Sequence, residues 1–152
     1  MSTIVVLPEY YGYVALATIS TGFLNILQIQ LVSSTRKKAN IKYPQMYAEK
    51  SEMESNFDAM KFNCAQRAHQ NTLEFVPQVL FLTPFLGLRY PILAASLGAA
   101  WTGGRVFYTL GYVTGDPAKR YNRGGFLIPS LAYFGLLAGS TYAAIELILG
   151  KW

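Results

Sequence analysis

The chain has 152 residues, 52% of them hydrophobic and 14% charged, and its 13 Lys and Arg against 8 Asp and Glu leave a net charge of +5. Soluble domains carry about 25% charged residues, so this composition, with a mean hydropathy of +0.24, points away from an aqueous domain and toward one membrane domain over residues 1–152. The basic residues are confined to a few loops and helix ends, which argues against nucleic acid as a partner. A single cysteine, Cys64, excludes an intrachain disulfide and a multi-cysteine metal site, so no metal is expected.

In chain order, Met1 to Leu7 lacks the basic n-region and cleavage site of a signal peptide, and the apolar stretch that follows is expected to remain as a membrane span. That first span runs from about Tyr11 to Ser33 without a charge, long enough to cross roughly 30 Å of hydrocarbon. Asn25 and Gln28 share one of its faces, for hydrogen bonding between helices or for lining a cavity. Arg36-Lys37-Lys38 closes it as an anchor at the headgroups, and Arg36 and Lys37 are also candidates for holding a ligand carboxylate. Residues Ala39 to Ala59 form the one sizeable polar loop, with a helical start near Met53.

The second span covers about 60–86, and Pro77 and Pro84 predict a kink near Val76. A turn at Gly87 to Pro91 leads to the third span, about 92–113, which starts with small residues suited to close helix contact. The Thr114-Gly115-Asp116-Pro117 turn precedes a basic cluster, Lys119, Arg120 and Arg123, and the fourth span, about 124–149. The fold class is therefore all-α, a four-helix integral membrane bundle.

The organising feature lies in the second span. At 3.6 residues per turn Asn63, Arg67, Asn71 (or Gln70), Glu74 and Gln78 fall on one stripe of an otherwise apolar helix. Polar groups at membrane depth face partners or a wet cavity. Arg105, Tyr108 and Tyr112, spaced i, i+3, i+7, share a face of the third span. The basic-residue bias places the loops after spans one and three in the cytosol. The basic end of span one, the polar start of span two, the Arg/Tyr end of span three and the basic start of span four then meet at one leaflet. Guanidinium groups suit carboxylates through paired donors, and Glu74 suits an ammonium. Glutathione, with two carboxylates, an amine and a thiol, fits that set.

Phe62-Asn-Cys-Ala-Gln-Arg-Ala-His-Gln-Asn-Thr-Leu-Glu74, Gly104-Arg105-Val106-Phe107-Tyr108 with Gly111-Tyr112, and Thr114-Gly115-Asp116-Pro117 before Lys119-Arg120 resemble the microsomal glutathione transferases, membrane-associated proteins in eicosanoid and glutathione metabolism. The resemblance covers nearly the whole chain. It implies a homotrimer of four-helix subunits in the endoplasmic reticulum or mitochondrial outer membrane, with glutathione as co-substrate between neighbouring subunits. It implies glutathione binding by Arg36, Arg67, Asn71, Glu74, Tyr108 and Tyr112, joined here by Lys37, His69, Gln70 and Arg105. It also implies that Arg120, with Lys119 as fallback, activates the thiol for attack on a hydrophobic electrophile or a lipid hydroperoxide, since an adjacent cation favours the thiolate.

Two positions depart from the leukotriene C synthases of that family. Phe75 stands where they have a tyrosine, and His69 where they have a glutamine. With Arg120 available, His69 reads as a contact to ligand or neighbour and not as a general base. Two other classes compete with the enzyme. A non-catalytic lipid-binding or accessory subunit would co-purify with a larger membrane complex without binding glutathione. A transporter would line a path across the bilayer, whereas these polar residues cluster at one leaflet.

Overall fold

The computed structural model describes residues 6–152, so the reading of Met1 to Leu7 falls largely outside the described residues. Four long helices carry the fold: α1 (Tyr11–Ala39), α3 (Phe57–Gly87), α4 (Pro91–Tyr112) and α5 (Leu127–Ile148). A short helix, α2 (Lys50–Ser55), interrupts the loop after α1, and a 3-10 segment (Pro117–Gly124), kinked at Asn122 and Arg123, joins α4 to α5. By length and composition, α1 and α5 are apolar enough to cross a membrane. The other two long helices carry the polar residues that set the site.

The helices begin and end for local reasons. α1 runs beyond the expected Ser33 to Ala39, with Arg36, Lys37 and Lys38 in its last turn. Cations there favour the negative end of the helix dipole, so leaving the apolar stretch does not end the helix. Asn40 ends it, in a left-handed conformation (φ 57°) whose N–H reaches the Arg36 and Lys37 carbonyls. In the following loop the Glu52 carboxylate accepts from the Glu49 N–H (2.6 Å) and the Gln45 amide (2.6 Å), fixing the start of α2 as in a capping box. Asn56 then breaks the helix and caps α3, accepting from the Asp58 N–H at 2.9 Å.

α3 continues without interruption through Pro77 and Pro84. Each proline, near which a kink at Val76 is expected, removes one backbone donor without ending the helix. α1 packs on α3 and α4, and α5 packs on the opposite side of the same pair.

The interior combines Trp101 with aliphatic and small side chains. Val14, Leu24, Val79, Leu82, Leu86, Trp101 and Leu136 form its apolar centre, with Ala17, Ala68, Ala94 and Ala143 also buried. The large apolar side chains point outward instead. On α1 these are Leu16, Ile19, Phe23 and Ile26, each more than half exposed, and on α5 Leu131 and Phe134. Apolar surface on that scale is unfavourable against water and matches a lipid environment.

A buried polar side chain on α1 joins three of the helices. Gln28, 1% exposed, donates from Nε2 to Thr72 Oγ1 (2.7 Å) on α3 and to Thr109 Oγ1 (2.8 Å) on α4. The sequence singles out Gln28 for contact between helices, and the structure makes it the junction of three. At the opposite end of the bundle, Glu146 accepts from the Tyr90 hydroxyl (2.7 Å) and Arg89 Nε (3.4 Å), closing α5 against the turn before α4.

Candidate functional site

The stripe on α3 divides into three uses. Asn63 is engaged by the loop, donating to the Ala48 carbonyl (2.9 Å) and accepting from the Ala48 N–H (2.8 Å). Gln78 is engaged by α5, where it accepts from the Tyr133 hydroxyl. Between them, Arg67 Nη1 donates to Glu74 Oε1 at 2.7 Å, and Asn71 Nδ2 donates to Glu74 Oε2 at 2.9 Å. The Arg67 and Glu74 side chains are 44% and 46% exposed. An exposed pair of this kind contributes little to stability, so a cation, an amide and an anion remain presented together on one open face.

Arg105 backs this face from inside the bundle. It is 4% exposed, and its guanidinium donates to Asn71 Oδ1 (3.0 Å), to Thr72 Oγ1 (2.7 Å from Nη2, 3.1 Å from Nε) and to the Ala68 carbonyl (3.3 Å). The guanidinium also lies 4.2 Å from the centre of the Tyr108 ring, a cation–π contact. Since Thr72 also receives the Gln28 amide, the rotamer of Arg105 is fixed from α1, α3 and α4 together. Asn71 passes that alignment on to Glu74.

Tyr108 meets Tyr112 edge to face at 5.6 Å, and the Tyr112 hydroxyl accepts from Arg120 Nη1 at 3.2 Å. Arg120 also donates from Nη2 to the Tyr121 hydroxyl at 2.8 Å. That bond, opposed by partial desolvation, keeps the guanidinium above its ordinary pKa, so it stays a cation. Two glycines allow the 3-10 helix to bring Arg120 this close to α4. A Cβ on Gly111 would fall on the Lys119 carbonyl, and one on Gly125 would lie 2.6 Å from the Tyr108 nitrogen. The sequence leaves Lys119 and Arg120 as alternatives, but the backbone separates them: Arg120 turns toward Tyr112, and Lys119 lines a different cleft with Phe107 and Arg123.

The remaining candidates stand around this group. His69 Nε2 lies 2.7 Å from Asn25 Oδ1, so it bridges α3 to α1. Gln70 is exposed and accepts from the hydroxyl of Tyr47 in the loop, whose phenol is held above the usual range chiefly by burial. Lys37 is exposed at the end of α1. Arg36 is buried and works locally. Its guanidinium lies 4.4 Å from the rings of both Tyr43 and Phe62, and Nη1 donates to the Gln45 carbonyl at 2.6 Å. It holds the loop down against α3.

Beside the polar face, a cavity of about 250 Å³ opens between α3, α4 and α5. Asn71 and Arg105 supply its polar end, and Phe75, Trp101, Phe126 and Tyr133 its walls. Phe75 thus contributes an apolar wall to this cavity. Thr72, Thr109 and Tyr47 are the members of the network that sequence reading passes over. Single hydroxyls inside an apolar run carry no periodic signal, and Tyr47 lies in a loop whose path no pattern specifies. Among the described residues, no three His, Cys, Asp or Glu side chains gather as a metal site.

Fold and site define a helical, membrane-associated protein that presents a cationic and amide-rich surface at one end of an apolar bundle. The MAPEG family model matches residues 14–142, and the chain belongs to the MAPEG family. That family includes the membrane glutathione transferases and related proteins, and its members use glutathione.

Proposed function

We propose that the protein is a membrane-bound glutathione transferase with glutathione-dependent peroxidase activity, nearest to the microsomal glutathione transferases of type 3. The observation that carries this reading is the open Arg67–Asn71–Glu74 face backed by Arg105 and continued through Tyr108 and Tyr112 to Arg120. A tripeptide with carboxylates at both ends and an amine suits that sequence of charges. The carboxylates exchange into guanidinium donors, and the amine meets Glu74.

The four long helices are proposed to span the membrane as a single domain, with the site at the cytosolic leaflet of the endoplasmic reticulum or mitochondrial outer membrane. Exposure of Arg67, Gln70 and Glu74 favours a ligand completed by a second surface, and a homotrimer would supply it. In that arrangement Lys37 reaches the ligand of an adjacent copy directly, and Arg36 does so on releasing the Gln45 carbonyl. Lys37 is the freer of the two, since Arg36 is stacked between Tyr43 and Phe62. His69 and Gln70 hold the ligand's backbone from α3.

Arg120 is proposed to favour the thiolate, because a fixed cation beside a thiol lowers its pKa. In transfer, the sulfur forms a bond to an electrophilic carbon and the displaced group departs with a proton. In reduction, the sulfur attacks the outer oxygen of a lipid hydroperoxide, the O–O bond breaks and the alcohol leaves. A second glutathione then reduces the sulfenic acid to disulfide and water. The aromatic cavity beside Asn71 suits the apolar part of either substrate.

Purified full-length protein given glutathione and either a lipophilic electrophile or a fatty-acid hydroperoxide should yield thioether or alcohol plus glutathione disulfide, measured by mass spectrometry. Binding of glutathione with neither product would favour a non-catalytic subunit instead.

A further inference from the structure

We infer that the cleft at the C-terminal end of α4 is a binding site for one anionic phospholipid, distinct from the surface around Arg67 and Arg120. The cleft, of about 250 Å³, is bounded by Phe107, Leu110 and Thr114 of α4 and its following turn, and by Lys119, Asn122 and Arg123 of the 3-10 helix. Its lining combines two chemistries. Phe107 and Leu110 lie three residues apart on one helix face, 41% and 47% exposed, and form an apolar wall. Lys119 and Arg123 supply the cations of the lining, both exposed, and neither is in an ion pair among the described residues.

Among the described residues, no carboxylate lines the cleft. The nearest acid in sequence, Asp116, turns its side chain onto its own backbone, accepting from the Ala118 N–H at 3.0 Å. Two cations without counter-ions next to an apolar wall complement an amphiphile with a negative head and a hydrocarbon tail. The backbone also commits itself to this placement. Arg123 adopts a left-handed conformation (φ 53°) with Gly124 beside it (φ 72°), a conformation unfavourable for a non-glycine residue. A free inorganic anion would use the cations but leave Phe107 and Leu110 without a role.

The arrangement rests on the proposed span of α4 ending at the headgroups, and not on the glutathione reading. A basic patch at the membrane surface attracts anionic lipid diffusely, so the test must separate a site from net charge. Full-length protein in mixed micelles with equal phosphatidylglycerol and phosphatidylcholine is released in native mass spectrometry, and the retained lipids are counted. Wild type should retain phosphatidylglycerol at least fivefold over phosphatidylcholine. Lys119→Gln with Arg123→Gln should abolish that preference, while Lys42→Gln with Lys50→Gln, which removes the same charge from the other loop, should preserve it. Equal loss in both double variants, or no preference in wild type, overturns the site while leaving α4 in the membrane. Retention of neither lipid overturns the site and the membrane placement together.

Discussion

Arg120→Ala should lower kcat for glutathione turnover about 10²- to 10³-fold, the scale for removing one preorganised charge from a developing or reacting anion, with KM for glutathione changed by less than about threefold. The reason is positional. Arg120 sits at the end of the chain of contacts, held by Tyr112 and Tyr121, while Arg67, Asn71 and Glu74 remain intact to bind the tripeptide. The sign of the pH effect follows. A thiol lowered by a cation is thiolate above its lowered pKa, so wild-type turnover should level off near or below neutrality. The variant, with its thiol returned toward about 8.5, should keep rising through that value. Arg120→Lys restores the charge and should recover at least about tenfold over alanine. Steady-state kinetics across pH in detergent check this, and an unchanged kcat in Arg120→Ala removes the assigned role.

Arg105→Met should cost about 3 kcal/mol of stability and raise KM for glutathione at least about tenfold. A buried guanidinium with partners on Asn71, Thr72 and Ala68 contributes charge-assisted hydrogen bonds of about 1.5–3 kcal/mol each, before the cost of its own desolvation. Its loss leaves Asn71 Oδ1 without its buried donor and frees the amide that orients Glu74. Arg105→Lys should recover little of either effect, because a single ammonium cannot span Asn71 and Thr72 as the planar fork does. Thermal unfolding by circular dichroism, together with glutathione kinetics, reads both quantities. A melting curve that superimposes on wild type would show that the network does not hold the bundle.

What the sequence discloses and what it leaves closed follow from range. Helical period alone places Arg67, Asn71 and Glu74 on one stripe and Arg105, Tyr108 and Tyr112 on another, and the structure brings those two stripes face to face. The polar clusters near the ends of the apolar runs locate the four long helices to within a few residues, except where Arg36, Lys37 and Lys38 prolong α1 beyond its apolar stretch. Three features depend on tertiary packing. Gln28 is legible as a polar interruption of α1, but its partners Thr72 and Thr109 are 44 and 81 residues away. Arg36 reads as a headgroup anchor or a carboxylate ligand, and only the folded loop shows it stacked between Tyr43 and Phe62. Adjacent positions 119 and 120 look alike in sequence, and their side chains diverge because bare Cα atoms at Gly111 and Gly125 let the 3-10 helix press on α4.

The two proline positions show how packing carries a helix past a missing donor. Pro77 and Pro84 each delete a donor, which in isolation predicts a bend. Packed between α1, α4 and α5, α3 runs through both. Its carbonyls also serve the tertiary fold: the Pro84 carbonyl accepts from the Tyr11 hydroxyl at 3.2 Å, and the Leu82 carbonyl from Ser140 at 3.1 Å.

Glutathione titrated into the detergent-solubilised full chain, with thiolate absorbance followed against pH, decides whether Arg120 ionises a bound thiol. Saturable binding with thiolate appearing about one to three pH units below the free value of about 8.5, the shift a neighbouring cation produces, is the predicted result, and it should vanish in Arg120→Ala while binding persists. Absence of saturable binding, or a bound thiol that ionises at the free value in the wild-type protein, would contradict it.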